Sequence, residues 1–274
     1  MSFYISLSGL KGAQTDLGVV ANNVANVSSL AFKKSKATFG DIYAGGGVGA
    51  GGNGVRLVNV RQQFTQGTLE TTDKTLYLAV TGEGFFTVKS ASADQSVSYT
   101  RAGAFVMDKN RFIVDATGAR LQVLPTDPQG NGTPTGTEAS DLADLVIPAT
   151  NPDDATVPLS AIAISDTGLV TATFGDGSVR NLGVLAMATF PAQEELGQIG
   201  DAHWISTGDS GEAAYGAGNS GTFGSVRSGT LERSNVDITE ELVALISAQR
   251  NFQANAKAIE TSSAMTQTIV NMRT

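Results

Sequence analysis

From Asp237 to its end the chain contains neither glycine nor proline, although glycine accounts for 32 of its 274 residues. Asp237, with Glu240 three residues on, is the pairing of a helix-capping acceptor and a reciprocating carboxylate. Ile238, Leu242, Leu245, Phe252, Ala256 and Ile259 follow at alternating spacings of three and four, with Gln249 in one slot. The stripe then steps over to Met265, Ile269 and Met272. This spacing predicts a single helix of about 35 residues, a rod of roughly 50 Å. Most of a helix's stability in a folded protein comes from packing an apolar face, so this one needs a partner surface.

The other end of the chain carries the same pattern. Phe3, Leu7, Leu10, Leu17, Ala21 and Val24 form a heptad seam, with Gln14 between Leu10 and Leu17. Gly9, Gly12 and Gly18 weaken this helix in isolation, each by about 1 kcal/mol relative to Ala. Two stripes so far apart in sequence are expected to pair with each other or with copies of themselves. Asn22, Asn23 and Asn26 stand at the far end of the first helix. Asn26 suits a helix terminus, where its amide satisfies a free carbonyl. Asn22 and Asn23 lie where Val24 still extends the seam, and polar groups there fix register and partner number.

Between the helices the pattern changes to period two. "VRLVNVRQQFTQG" alternates, "LYLAVTGEGFFTVK" is two apolar runs about a Gly-Glu-Gly turn, and "SYTRAGAFVMDKNRFIVDATGARLQVL" reads as three strands with turns at Asp108–Asn110 and near Thr117–Gly118. The expected fold class is α+β: terminal helices forming a coiled-coil-like inner domain (1–30 and 235–274), and a mainly antiparallel β domain (73–234). Residues 31–72 read as a linker region, made flexible by Gly45, Gly46, Gly47, Gly49, Gly51, Gly52 and Gly54.

Composition excludes several functions. The net charge is −8 and the only cationic cluster is Lys33, Lys34 and Lys36, which argues against nucleic acid and against a polybasic membrane anchor. That cluster reads as a solvated face or as a contact to the acidic body of another subunit. No apolar run is long enough to span a membrane, and the start lacks the pattern of a cleaved signal. There is no cysteine and one histidine, His203, so thiolate and multi-histidine metal sites are unavailable within one chain. His203 reads as a packing or surface residue, and Trp204 as a core anchor. The triplets at Asp166–Gly168 and Asp115–Gly118 could imitate paired catalytic carboxylates, but Asp-x-Gly is ordinary turn chemistry. "DGS" and "NPDDAT" offer oxygens to calcium without an EF-hand spacing. No enzyme constellation, cofactor or metal is expected. A secreted monomeric adhesin or cap is a further class, but would not need a heptad seam at both termini.

"SLSGLKGAQTDLGVVANNVANVSSLAFKKSKATFGDIY" resembles the N-terminal signature of the flagellar rod and hook proteins. That family's pattern has a Ser-Gly-Leu start, an Ala-Asn-Asn-x-Ala-Asn core and a later Gly-Phe-Lys; here Ala31 replaces that glycine before Phe32-Lys33. "RQQFTQGTLETTDKTLYLAVTGEGFFTV", "YTRAGAFVMDKNRFIVDATGARLQ" and the C-terminal helix resemble the family as well. The start and the "RQQFTQG" segment look most like the hook protein, whereas the length resembles the distal rod protein. As a hook protein the chain would be a short form, its outer domain absent or vestigial near 125–160.

The resemblance implies a tubular homopolymer whose terminal helices line an export channel: a flexible universal joint if hook, a stiff driveshaft if distal rod. It implies assembly through Leu7, Leu10, Leu17, Asn22, Asn23, Val24, Asn26, Leu242, Leu245, Phe252, Ile259 and Ile269. It also implies the distal rod protein, the hook cap and the hook–filament junction proteins as neighbours. Export would run through the flagellar type III apparatus without a cleaved signal, to the extracellular flagellum.

Overall fold

Ser2–Ala25 forms the first helix, α1, and Ile238–Asn271 the second, α2. In this computed structural model the described residues are 2–43, 52–91, 96–126, 134 and 136–272. Internal contacts divide the chain into two units. One comprises Met1–Ser28, Lys33–Gln63 and Val236–Thr274; the other comprises Ser29–Phe32 and Phe64–Asn235.

The first unit holds both helices and a hairpin. Asp237 caps α2 as expected, its carboxylate accepting from the amides of Thr239 at 2.8 Å and Glu240 at 3.2 Å. The Glu240 side chain accepts from Lys34 Nζ at 3.3 Å. Where a linker was expected, β1 (Ser35–Tyr43) and β2 (Gly52–Gln62) pair antiparallel from Ser35↔Gln62 to Tyr43↔Gly52, with a register shift after Thr38 that leaves Val58 as an extra residue. The alternation of "VRLVNVRQ" therefore outweighed the nearby glycines. Gly52 and Gly54 stand inside β2, while Gly45, Gly46, Gly47, Gly49 and Gly51 lie outside the described residues. Gly54 has φ +104°, and its amide neighbour Val55 donates to Ser8 Oγ of α1 at 3.2 Å. Lys33 is buried, not solvated.

The second unit is an antiparallel β body. Leu159–Ile164, Leu169–Phe174, Val179–Leu185, Arg120–Leu124, Phe85–Lys89, Val97–Thr100, His203–Ile205 and Gly197–Gly200 follow one another across its main sheet. Leu169–Phe174 shows the period-two rule: Val170, Ala172 and Phe174 are buried, and the residues between them are half-exposed. The core gathers Leu78, Val80, Phe86, Phe105, Leu121 and Leu185. A second cluster sets Trp204 edge-on to Phe85 and Phe64, with ring centroids 5.7 and 5.3 Å away. Trp204 is thus a core anchor. The Gly-Glu-Gly turn forms as expected, with φ +103° at Gly82 and +122° at Gly84. Ala31, standing where the family pattern has glycine, takes φ +51°, a left-handed position that favours glycine.

Charge is buried twice in this unit. Arg101 and Glu232 are each about 1% exposed, with Nη1 and Oε2 3.9 Å apart. His203 Nε2 meets Asp115 Oδ2 at 2.7 Å, and its Nδ1 lies 2.9 Å from the Asp201 carbonyl. Burial pushes the His203 pKa down, but the hydrogen bond and charge of Asp115 outweigh it and raise the pKa above the ordinary 6.5. Burial pushes Asp115 up, but hydrogen bonds from His203 and Thr117 outweigh it and hold the carboxylate below the ordinary 3.8. A raised histidine contributes stability that is complete below its unfolded pKa and is lost as pH rises through its folded value. A lowered aspartate contributes stability that is complete above its unfolded pKa and is lost as pH falls through its folded value. The pair's contribution is therefore full between 3.8 and 6.5.

Unfolding of this unit in urea, followed by Trp204 fluorescence, should show a falling midpoint from about pH 6 to about pH 9. His203→Gln should flatten that limb. A wild-type midpoint level over the same range would contradict the coupling.

Candidate assembly surface

α1 and α2 lie antiparallel within the first unit, with Asn23 beside Glu241 at one end and Gly9 against Asn255 further along. On α2 Glu241 and Ala248 are buried, and Ala244, Leu245, Phe252, Asn255, Ala256, Ile259 and Ser262 are half-buried. This seam shares Leu245, Phe252, Ala256 and Ile259 with the expected stripe. At two of the alternate positions it is shifted one residue back, so Leu242 is 44% exposed while Glu241 and Ala248 are buried. On α1 the close approach is made by a small residue: a Cβ on Gly9 would stand 2.6 Å from Asn255 Oδ1. Glycine at this position makes room for the Asn255 side chain, although it weakens the isolated helix. Leu7, Leu10, Leu17 and Val24 are half-buried.

The three asparagines separate in role. Asn23 is buried and joins three elements. Its Nδ2 donates to the Ser35 carbonyl at 2.9 Å and to Glu241 Oε2 at 3.2 Å, and its Oδ1 accepts from the Ser35 amide at 2.9 Å. The side chain thus mimics a strand partner for the first residue of β1 while holding the first turn of α2. Asn26 Nδ2 donates to the Asn22 carbonyl at 3.0 Å, closing the helix end as expected. Asn22 is exposed.

Because the inner seam takes one side of α2, a second apolar set is left outside. Ile238, Leu242, Val243 and Ile246 are 44–61% exposed near its start; Met265, Ile269, Val270 and Met272 are 60–81% exposed near its end. Phe3, Tyr4 and Ile5 are exposed at the start of α1. Val243 and Ile246 were not picked out by the single-stripe reading. Their signal was an apolar arc too wide for one seam. Among the described residues no helix is long and apolar enough to cross a membrane.

Among its described residues the β body has an arrangement resembling catalytic machinery, the His203–Asp115 pair. Both imidazole nitrogens are engaged, one by Asp115 and one by the Asp201 carbonyl, so neither is placed to take a proton from a hydroxyl. Asp115 Oδ1 also accepts from the amides of Thr117 and Ala119 at 2.8 and 3.0 Å, as a turn residue does. Asp166 of the other triplet is exposed and meets Asn219 at 3.4 Å. The two triplets build no shared carboxylate site.

Two family models match the chain: "Flagellar hook protein FlgE/F/G D1 domain" over residues 79–172, and "Flagellar basal body rod FlgEFG protein C-terminal" over residues 227–272. The flagellar basal-body rod protein FlgG of Bacillus subtilis is 34% identical over 288 positions, covering 99% of this chain and 98% of that protein. The chain belongs to the flagellar rod and hook protein family. Its relatives are structural proteins of the flagellum. The FlgG rod protein of Agrobacterium fabrum is 31% identical, with 95% of each chain covered. The flagellar hook protein FlgE of Escherichia coli is 28% identical with both chains covered completely. That last alignment spans 409 positions against 274 residues here, so a long part of the hook protein has no counterpart in this chain. A crystal structure of Helicobacter pylori flagellar hook protein FlgE2 overlaps 73% of this chain and 43% of its own, with 14% identity and a TM-score of 0.25, too loose a likeness to carry argument. As a family member, the chain has a role in assembly into the flagellum, and the helix pair with its exposed apolar sets is the candidate surface for it.

Proposed function

We propose that this chain is a subunit of the bacterial flagellar hook. Copies assemble into a tubular helical polymer that encloses the export channel and bends as a universal joint. The observation that carries the reading is the apolar surface of α2 left uncovered by α1. Eight large exposed apolar residues along one helix, at Ile238, Leu242, Val243, Ile246, Met265, Ile269, Val270 and Met272, are poorly suited to a monomer in water. Neighbouring copies would cover them and extend the helix pair into a coiled-coil-like layer. Leu245, Phe252 and Ile259 would hold the pair together within each copy, and Ile269 would reach the next. The distal rod protein, the hook cap and the junction proteins would meet the ends of the tube. Export would run through the flagellar type III apparatus without signal cleavage.

Val243→Asp with Ile269→Asp changes two exposed positions, so the monomer should keep its helix content and its Trp204 fluorescence. Electron microscopy of the concentrated wild type should show tubes and that of the variant none. Tubes of normal appearance from the variant would remove α2 from the interface.

A second reading, the distal rod subunit, is favoured by the 34% identity to FlgG over nearly the full length of both chains. Labelled antibody on isolated basal bodies separates the two: signal beyond the outer rings supports the hook, and signal confined within them the rod.

A further inference from the structure

The two units differ sharply in charge. The helix–hairpin unit has nine Lys and Arg against six Asp and Glu, a net +3; the β body has nine against twenty, a net −11. Much of the positive charge lies on the hairpin. Lys36 stands directly opposite Arg61, and Arg56 opposite Gly40, in the register of β1 and β2. Alternation from Lys36 through Thr38 to Gly40 puts these positions on one face, and all three cations are exposed. Asp41, the hairpin's only acidic residue, pairs with Val55 one position away and belongs to the other face. Like charges directly opposite each other across two strands destabilise the pairing. Together the three make this face of the hairpin cationic.

The β body carries a counterpart. The turn holding Asp153 and Asp154 is tied to the turn holding Asp176 by Asn151 Nδ2 donating to Ser178 Oγ at 3.1 Å. Asp153 has a cation, Arg180 Nη1 at 2.9 Å. Hydrogen bonds from Thr156 hold the Asp154 carboxylate below the ordinary 3.8 against the opposing charge of Asp176, and hydrogen bonds from Ser178 hold Asp176 below it as well. Exposed Val179 lies beside them, as exposed Val58 lies on the hairpin.

We propose that the cationic outer face of the β1–β2 hairpin docks against the Asp154–Asp176 turns on the β body of a second copy of this chain. The proposal rests on the polymer reading above. Two different patches of opposite charge on one chain make a head-to-tail contact, and repetition of such a contact generates a helical array instead of a closed dimer. The contact also gives the subunits an electrostatic preference for one neighbour, acting on the rate of addition and on register.

The test is charge exchange in polymerisation assays. Lys36→Glu with Arg56→Glu, and separately Asp154→Lys with Asp176→Lys, should each raise the critical concentration for tube formation at least about tenfold. All four positions are exposed, so circular dichroism and Trp204 fluorescence should stay those of the wild type. An equimolar mixture of the two variants should regain assembly, because each then offers the other a complementary patch, and one chain carrying all four changes should regain it too. Raising salt from about 0.05 to about 0.5 M should weaken the wild-type advantage. Wild-type tubes together with unaffected single-patch variants, or with variants that neither mixing nor combination rescues, would overturn the contact and leave the polymer reading standing. Wild-type protein that forms no tubes would overturn both.

Discussion

Arg101→Met is expected to destabilise the β body by about 3–5 kcal/mol, the range for removing one partner of a buried ion pair. Arg101 is fully enclosed: Nη2 donates to the Gly82 carbonyl at 3.0 Å, the guanidinium lies 5.1 Å from the Phe85 ring centre, and Glu232 stands across from Nη1. Burial lowers the arginine's pKa, and the charges of Glu232 and Glu83 oppose that shift. Methionine fills much of the volume but removes the guanidinium that faces the Glu232 carboxylate, whose Oε1 accepts from the Gly67 amide at 2.8 Å. Trp204 is the only tryptophan and packs on Phe85, so its fluorescence in urea reads this unit directly. Adding Glu232→Gln should restore part of the loss, since the amide oxygen still accepts from Gly67 while the buried charge that faced Arg101 is gone. A midpoint unchanged in Arg101→Met, or no recovery in the double variant, would show that the pair does not hold the charge balance of this core.

Asn23→Ala is the second large effect, about 3 kcal/mol on the helix–hairpin unit, from three hydrogen bonds lost and buried groups left without partners. The change removes the acceptor of the Ser35 amide, the donor to the Ser35 carbonyl and the donor to Glu241. The Ser35 amide should exchange with solvent at least about a hundredfold faster, and α2 should fray from its first turn. Asn23→Asp is the sharper comparison. It keeps an acceptor for Ser35 but sets a second carboxylate against Glu241, so at neutral pH it should be at least as damaging as alanine and should recover on acidification. Slow exchange at Ser35 in the alanine variant would mean that β1 is anchored by something other than this side chain.

How much of this was legible in advance differs by element. The 3.6-residue period, the cap at Asp237 and the absence of glycine and proline after it determined α2, because each acts within a few residues along the chain. The same holds for the turns at Asp108–Asn110 and Gly82–Gly84, whose backbone needs are met by their own residues. Period-two alternation determined that the middle of the chain is β. Asn26 could be read as a helix closer for the same reason: its partner, Asn22, lies one turn away.

Tertiary structure decided the rest. The arc of α2 allowed two seams one residue apart, and packing on α1, where Gly9 makes room for the Asn255 side chain, goes with the one that buries Glu241 and Ala248. Asn23 answers to Ser35 and Glu241, 12 and 218 residues away. His203 finds Asp115 88 residues back. Whether β2 would pair or remain a link depended on β1 lying opposite it, which a glycine-rich stretch between them obscured. Local periodicity records which faces are apolar, since burial is a property of each side chain. It does not record which face meets which partner, because packing energy depends on the shape of a surface that the rest of the chain supplies.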